Sequence, residues 1–226
     1  MLGQNNFDKL HELVNSRNVR NLRLALAEYN EVDIAQFIEN LPAEKALVTF
    51  RTLPKDMAAE VFTYLLPETK QYIIGAITDQ ELAVIVEDLF VDDAVDMLEE
   101  LPANVVKRVL KNAKPNTRLL INQFLKYPEN SAGSIMTAEF VDLRKNMTVD
   151  QAIEHIRRTG EDRETIYTCY VLDERRILEG VVTVRDLLLS ADELSVKEIM
   201  DTYVIKAITT DDREEVAKLF LKYDLL

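Results

Sequence analysis

Apolar residues recur at helical spacing through the first half of the chain: Ala46, Leu47 and Phe50; Met57, Ala58 and Val61; Ile73, Ile74 and Ile77; Leu82, Ile85, Val86 and Leu89; Ala94, Val95 and Leu98. Steps of three and four place each set on one face of an α-helix. Proline punctuates these stripes. All six prolines fall at 42, 54, 67, 102, 115 and 128, spaced 12, 13, 35, 13 and 13 residues apart, and Asp79 and Asp92 fill the two vacant positions in the wide gap. Proline needs no partner for an N–H and aspartate caps one, so both suit a helix start. The pattern predicts about ten short helices over residues 7–127. None of them can bury its stripe alone, so the expected fold is a right-handed-type helical superhelix of stacked short repeats.

The period changes across Tyr127–Ser134, where Pro128, Asn130, Ser131, Gly133 and Ser134 supply breaker chemistry. Phe140–Leu143 then reads as a short strand. Thr148 followed by Gln151 is a capping box opening a helix with Val149, Ala152, Ile153 and Ile156 inward, and Gly160 suits its end. Residues 168–172 and 177–182 predict two further strands around a turn at Asp173–Arg176, and Thr183 caps a helix carrying Val184, Leu187 and Leu188. This strand, helix, strand, strand, helix order begins again 64 residues on. Ile135 and Met136 fall on Ile199 and Met200, Phe140 and Val141 on Val204 and Ile205, Thr148 on Asp212, and Ile156 on Phe220. Leu226 corresponds to Asp162, so the second copy is expected to be truncated. The fold class is therefore multidomain, α and α+β: residues 1–128 helical repeats, 129–197 a complete mixed motif, and 198–226 the start of its repeat.

Composition narrows the function. A net charge of −13 repels phosphate backbones and argues against nucleic acid as a partner. One cysteine, Cys169, and two histidines, His11 and His155, allow neither a disulfide framework nor a Cys/His zinc site. No stretch approaches the roughly 18 apolar residues of a membrane span, and Asn5, Asn6 and Asp8 occupy the place of a signal sequence's apolar core, so the chain as given is expected to be soluble. The five glycines, at 3, 75, 133, 160 and 180, form neither a P-loop nor a dinucleotide fingerprint. No catalytic constellation emerges, and the chain is expected not to be an enzyme.

Charge is uneven. Between Lys70 and Lys107 there is no base, while Asp79, Glu81, Glu87, Asp88, Asp92, Asp93, Asp96, Glu99 and Glu100 all fall in that gap, and these nine acids are expected to meet no base. On a helical wheel Asp92, Asp93, Asp96, Glu99 and Glu100 share one side, with Ala94, Val95, Leu98 and Leu101 on the other. Like charges at i and i+4, such as Asp92 and Asp96, each cost a helix roughly 0.2–0.5 kcal/mol, so a cation is a natural neutraliser. Magnesium keeps several waters and accepts one or two carboxylates, which suits a sparse acidic face. A merely solvated face is the plain alternative. The loop pattern of an EF-hand is absent.

Several segments resemble a known family. Gly180-Val181-Val182-Thr183-Val184-Arg185-Asp186 is similar to the nucleotide-contact pattern of CBS motifs, and Ser131-Ala132-Gly133-Ser134-Ile135-Met136-Thr137 resembles the junction that opens the first CBS motif of MgtE magnesium transporters. Leu53–Glu60, Asp92–Pro102 and Lys222–Leu225 resemble the same family. The resemblance implies that residues 1–128 are an MgtE N domain, 129–197 CBS motif 1, and 198–226 the start of CBS motif 2. It further implies a cytosolic magnesium-sensing region of a transporter whose pore domain is not in these residues, and a homodimer joined through the CBS motifs in the full protein. Magnesium would bind between the two domains and gate the pore by negative feedback. The candidate metal residues are then Glu60, Asp92, Asp93, Asp96 and Glu99 with the backbone of Gly133, and secondarily Asp211, Asp212, Glu214 and Glu215, for which capping of a helix start is the plain alternative. Thr183, Arg185 and Asp186 are candidates for ATP or another adenine nucleotide, again against a bland reading in which Thr183 only caps its helix. Two other classes stay open: a helical-repeat scaffold that binds proteins and carries a nucleotide-sensing CBS module, and a nucleotide-regulated enzyme whose catalytic domain would have to lie elsewhere.

Overall fold

Helices of eight to twelve residues are marginal alone in water, and the first part of the chain is built of little else. A computed structural model describes residues 4–225. These fall into two units: one runs up to Leu89 and resumes over Asp93–Asn122, the other comprises Phe90–Asp92 and the chain from Gln123 onward.

Among the described residues ten α-helices precede the first strand: α1 Gln4–Asn15, α2 Val19–Leu26, α3 Glu31–Glu39, α4 Ala43–Thr52, α5 Lys55–Thr63, α6 Pro67–Ala76, α7 Asp79–Asp88, α8 Val91–Glu99, α9 Ala103–Asn112 and α10 Pro115–Phe124. Alternate helices stack, α3 on α5, α5 on α7 and α7 on α9 in one row, α2 on α4 and α4 on α6 in the other, and neighbours α1 and α2 and α3 and α4 also meet. Alternate stacking lets these stripes find partners. Phe37, Ile38, Phe62, Ile73, Val86 and Val109 are completely or almost completely buried as a result.

The helix starts differ in detail from expectation. Pro67 and Pro115 open their helices, but Pro42, Pro54 and Pro102 stand one position earlier, as N-caps that offer no side-chain hydrogen bond. Asp79 is the first residue of α7, not its cap. Thr78 caps that helix in a box with Glu81, and Asp79 instead favours the positive end of the helix from its first turn. Asp92 likewise lies inside α8.

Two helix starts are satisfied from a distance. The carboxylate of Glu39, at the end of α3, accepts the N–H of Leu66 at 2.8 Å and the hydroxyl of Thr69 at 2.7 Å, at the start of α6. Glu87, at the end of α7, accepts the N–H of Lys114 at 2.5 Å and the hydroxyl of Thr117 at 3.0 Å, at the start of α10. In both cases the partners lie 27 and 30 residues further on, so the device repeats with the superhelix.

The second unit contains β1 Phe140–Leu143, α11 Val149–Thr159, β2 Thr165–Leu172, β3 Leu178–Thr183, α12 Val184–Leu189, α13 Val196–Ile199 and α14 Arg213–Tyr223. The sheet order is β1-β2-β3, with β1 parallel to β2 and β2 antiparallel to β3. A parallel pair needs a crossover, which α11 supplies. Alternate residues of the strands, Val141, Leu143, Cys169, Val171 and Val182, face Val149, Ala152 and Ile156 of α11 with Leu187 and Val196 in one core. Thr148 and Gln151 form the expected capping box, and Gly160 ends α11 in right-handed conformation. Strand β2 begins at Thr165, earlier than the sequence pattern placed it.

The segment before α14 pairs with the chain that precedes β1. Ala132 and Gly133 donate their N–H groups to the carbonyls of Asp211 and Thr209 at 2.7 and 2.9 Å, and Arg213 donates to Asn130 at 3.0 Å. A Cβ at Gly133 would stand 2.6 Å from the Tyr127 ring and 3.0 Å from the Thr209 carbonyl, so the junction requires glycine. Asp212 caps α14, matching Thr148 on α11. Val204–Ile205 forms no strand, unlike its counterpart in β1. A strand needs a ladder partner, and among the described residues none pairs with this segment. The match of Leu226 with Asp162 lies outside the described residues.

Candidate metal site

Helix α8 is amphipathic in three dimensions as on the wheel. Val91, Ala94, Val95, Met97 and Leu98 are buried, Asp92 is half-buried, and Asp93, Asp96, Glu99 and Glu100 are exposed. Burial of the apolar stripe dictates which way the acids point.

Two carboxylate groupings result, both in the helical unit. In the first, Glu60 on α5 lies within electrostatic reach of Glu31 on α3 and Asp93 on α8. Partial burial first, and then these two negative charges, hold the Glu60 carboxyl above its ordinary pKa. In the second, Asp96 is raised by partial desolvation and by Glu100, while the ammonium of Lys70 on α6 pulls the other way. Glu100 lies on the acidic side that the sequence shows, but Glu31 and Lys70 do not stand out as candidates there, because the acids they approach are on other helices. An offset of about 30 residues recurs in the cross-helix pairs Glu39–Thr69, Arg51–Glu81 and Glu87–Thr117, and would have pointed from Glu60 to Glu31.

The expectation that nine acids meet no base is corrected by the packing. Arg51 pairs with Glu81 at 3.2 Å, Arg108 with Asp79 at 3.1 Å, Lys114 with Glu87 at 3.1 Å and Lys70 with Glu100 at 3.9 Å. The bases come from neighbouring turns of the superhelix, which sequence proximity does not reveal. None of these four acids lies within residues 92–99.

The remaining candidates have local roles. Asp212 accepts the N–H groups of Glu214 and Glu215 at 2.9 and 3.3 Å, Asp211 accepts that of Ile208 at 2.9 Å, and Glu215 pairs with Lys218 at 2.5 Å. Gly133 gives its N–H to Thr209. Thr183 and Asp186 close a capping box on α12, and Arg185 is exposed beside them. At the opposite end of the sheet a cleft of about 570 Å³ is lined by Arg144, Lys145, Asp173, Arg175 and Glu179 among others. Cys169 is fully buried, which pushes its thiol up to about 11 and leaves it without thiolate character at neutral pH. Among the described residues no group of three or more His, Cys, Asp or Glu side chains is arranged to hold a metal ion by itself. The donor set nevertheless fits magnesium, which completes its shell with water and asks for only one or two carboxylates.

Comparison with known proteins places these features. Residues 29–130 match the MgtE intracellular N domain and residues 132–193 the CBS domain. The magnesium transporter MgtE of Thermus thermophilus is 36% identical over 219 residues, covering 95% of this chain and 48% of that protein. The magnesium transporter MgtE of Bacillus subtilis is 27% identical over 214 residues, with the same coverage. The chain thus spans about half the length of these two curated relatives. A crystal structure of the soluble part of a magnesium transporter superposes with a TM-score of 0.91 at 26% identity, covering 97% of this chain and 87% of that one. The cytosolic domain of the Mg2+ channel MgtE, crystallised in complex with ATP, gives a TM-score of 0.89 at 36% identity, covering 95% and 88%. With sequence and fold both matched, the chain belongs to the MgtE family of magnesium transporters, of which it carries the intracellular N domain and a CBS domain.

Proposed function

We propose that this chain is the magnesium-sensing regulatory region of a magnesium transporter or channel, that it stands at the cytoplasmic face of the membrane, and that it is not an enzyme. Among the described residues no helix is long and apolar enough to cross a membrane, so the pore is assigned to a domain outside them. The observation that carries the reading is the convergence of carboxylates from α3, α5 and α8 around Glu60, with Asp96 and Glu100 on the same helical unit. Like charges within electrostatic reach of one another repel, and a cation that joins them relieves that repulsion.

Glu60, Asp92, Asp93, Asp96 and Glu99 would hold the ion, with ligands such as the Gly133 backbone and the acidic start of α14 contributed by the CBS part. When bound, magnesium supplies a hard divalent charge that neutralises the acidic face. The carboxylates then favour an arrangement of the two units that their repulsion opposes, the CBS pair transmits it to the pore as a homodimer, and plentiful cytosolic magnesium closes the pathway by negative feedback. Residues 198–226 are read as the start of a second CBS motif.

Titration of magnesium into the chain by calorimetry tests this. Saturable binding is expected, and it should be lost when Glu60→Gln and Asp96→Asn are combined. Equal binding by the double variant would remove these carboxylates from the sensor.

The ATP complex of a relative favours a second, compatible reading, in which Thr183, Arg185 and Asp186 contact adenine nucleotide. ATP titrated in the same way should bind the magnesium-site variant unchanged and fail to bind Asp186→Ala.

A further inference from the structure

The acids of α8 do not wait for a metal in isolation, because a cation of the protein's own already stands beside them. Lys70 projects from α6 with its side chain only 14% exposed, against 43% for Arg51, 51% for Arg108 and 76% for Lys114, which also pair with acids of this span. Its Nζ lies 5.9 Å from the centre of the buried Phe62 ring, whose electron-rich face favours a positive charge. It stands 3.9 Å from the Oε2 of Glu100 and within electrostatic reach of Asp96.

The distance matters. Lys114 meets Glu87 at 3.1 Å within a set of hydrogen bonds, whereas 3.9 Å is an ion pair without a hydrogen bond. Lys70 therefore neutralises Glu100 and Asp96 through space without filling their lone pairs. A lysine ammonium is a compact point charge on a flexible stem, able to withdraw when a second cation arrives, where a guanidinium fork would hold on.

We infer that Lys70 is a built-in counter-ion that competes with the divalent cation for Asp96 and Glu100, and thereby sets the magnesium concentration to which this region responds. The inference rests on the magnesium reading above and deepens it: Glu100 joins the responsive carboxylates, and Lys70 is an affinity-determining residue that never touches the metal. With the ammonium present, binding must either displace it or place a doubly charged ion beside a singly charged one. Both weaken binding relative to the same carboxylates alone, and the weakening sets a threshold that the carboxylates by themselves would place lower.

Calorimetric titration of MgCl2 into the chain, its K70M variant and its K70R variant provides the test. Methionine keeps the apolar stem and removes the charge, and should tighten magnesium binding by roughly tenfold. Arginine keeps the charge and should not tighten it. In the background of Glu100→Gln the gain from K70M should shrink, because one of the contested carboxylates is gone. Equal affinity in wild type and K70M, or weaker binding by K70M with the fold intact by circular dichroism, overturns the assignment and leaves Lys70 a structural ion pair. Absence of magnesium binding in all three proteins overturns the sensor reading itself. If K70M does not fold, K70Q carries the same comparison.

Discussion

Glu60 and Asp96 hold their protons more tightly in the folded chain than in the unfolded one, mainly through partial desolvation and then through neighbouring carboxylates. For a raised carboxyl the contribution to stability is fully present below the unfolded value, about 4, and is lost as pH rises through the higher folded value. Ionising either group in the folded chain therefore costs stability. Glu60→Gln combined with Asp96→Asn should raise the melting temperature at pH 7 in the absence of divalent ions, and the gain should vanish near pH 4. Thermal unfolding followed at the two pH values checks this, and magnesium should raise the melting temperature of the wild type more than that of the variant. A lower melting temperature for the variant at pH 7 would mean that attraction, from Lys70 and its kind, outweighs repulsion at these sites. Glu87 shows the opposite case. Burial pushes it up, but the Lys114 N–H, the Lys114 ammonium and the Thr117 hydroxyl together hold it below its ordinary value. Acidic residues of one span thus divide into those the fold satisfies and those it crowds, and the second kind is what a cation sensor needs.

At the scale of the element, the superhelix is held by more than stacked stripes. Glu39 and Glu87 sit at repeat-equivalent positions and each closes the start of the helix three further along. Replacing Glu87 by Ala removes the acceptor for the Lys114 N–H and the Thr117 hydroxyl, and should destabilise the helical unit by about 1–3 kcal/mol in urea unfolding at pH 7. Because its folded pKa is depressed, the contribution is present above the unfolded value and lost as pH falls through the folded one, so wild type and variant should converge under acid. An unchanged midpoint at pH 7 would show that water caps α10 equally well. These contacts also mark what the sequence could and could not disclose. The ten helices, the three strands and the caps Thr148, Thr183 and Asp212 were legible, because apolar periodicity and capping chemistry act within a few residues. The role of Glu39 was not, nor the approach of Glu31 to Glu60, nor the four bases that reach the acidic span, because each joins helices about 30 residues apart. Val204–Ile205 failed for the same reason in reverse: its local sequence copies β1, but a strand exists only with its partner.

At the scale of the whole molecule, the question is what a bound cation can do to two units joined in one chain of net charge −13. A ligand that binds one arrangement and not another stabilises it by RT ln(1 + [L]/Kd), about 2.7 kcal/mol at a hundredfold excess over Kd, which converts an evenly populated pair of states into one dominated about a hundredfold by the bound form. No large contact area between the units is needed for this, only carboxylates whose repulsion differs between the arrangements. The proposed sensor assigns that part to the acidic face of α8, and salt at constant ionic strength does not imitate a site that prefers a hard divalent ion. Small-angle scattering of the chain with and without millimolar magnesium, at matched ionic strength, should therefore show a smaller radius of gyration with the metal, and the change should disappear when Asp92→Ala and Asp96→Ala are combined. A radius that does not respond to magnesium would detach binding from arrangement. Compaction that survives the double substitution would place the responsive carboxylates elsewhere, with Asp211, Asp212, Glu214 and Glu215 at the start of α14 the next to be replaced. If compaction follows Asp92 and Asp96, a Lys70→Met chain should compact at lower magnesium than the wild type, because the counter-ion that opposes the metal at Asp96 has been removed while the carboxylates remain.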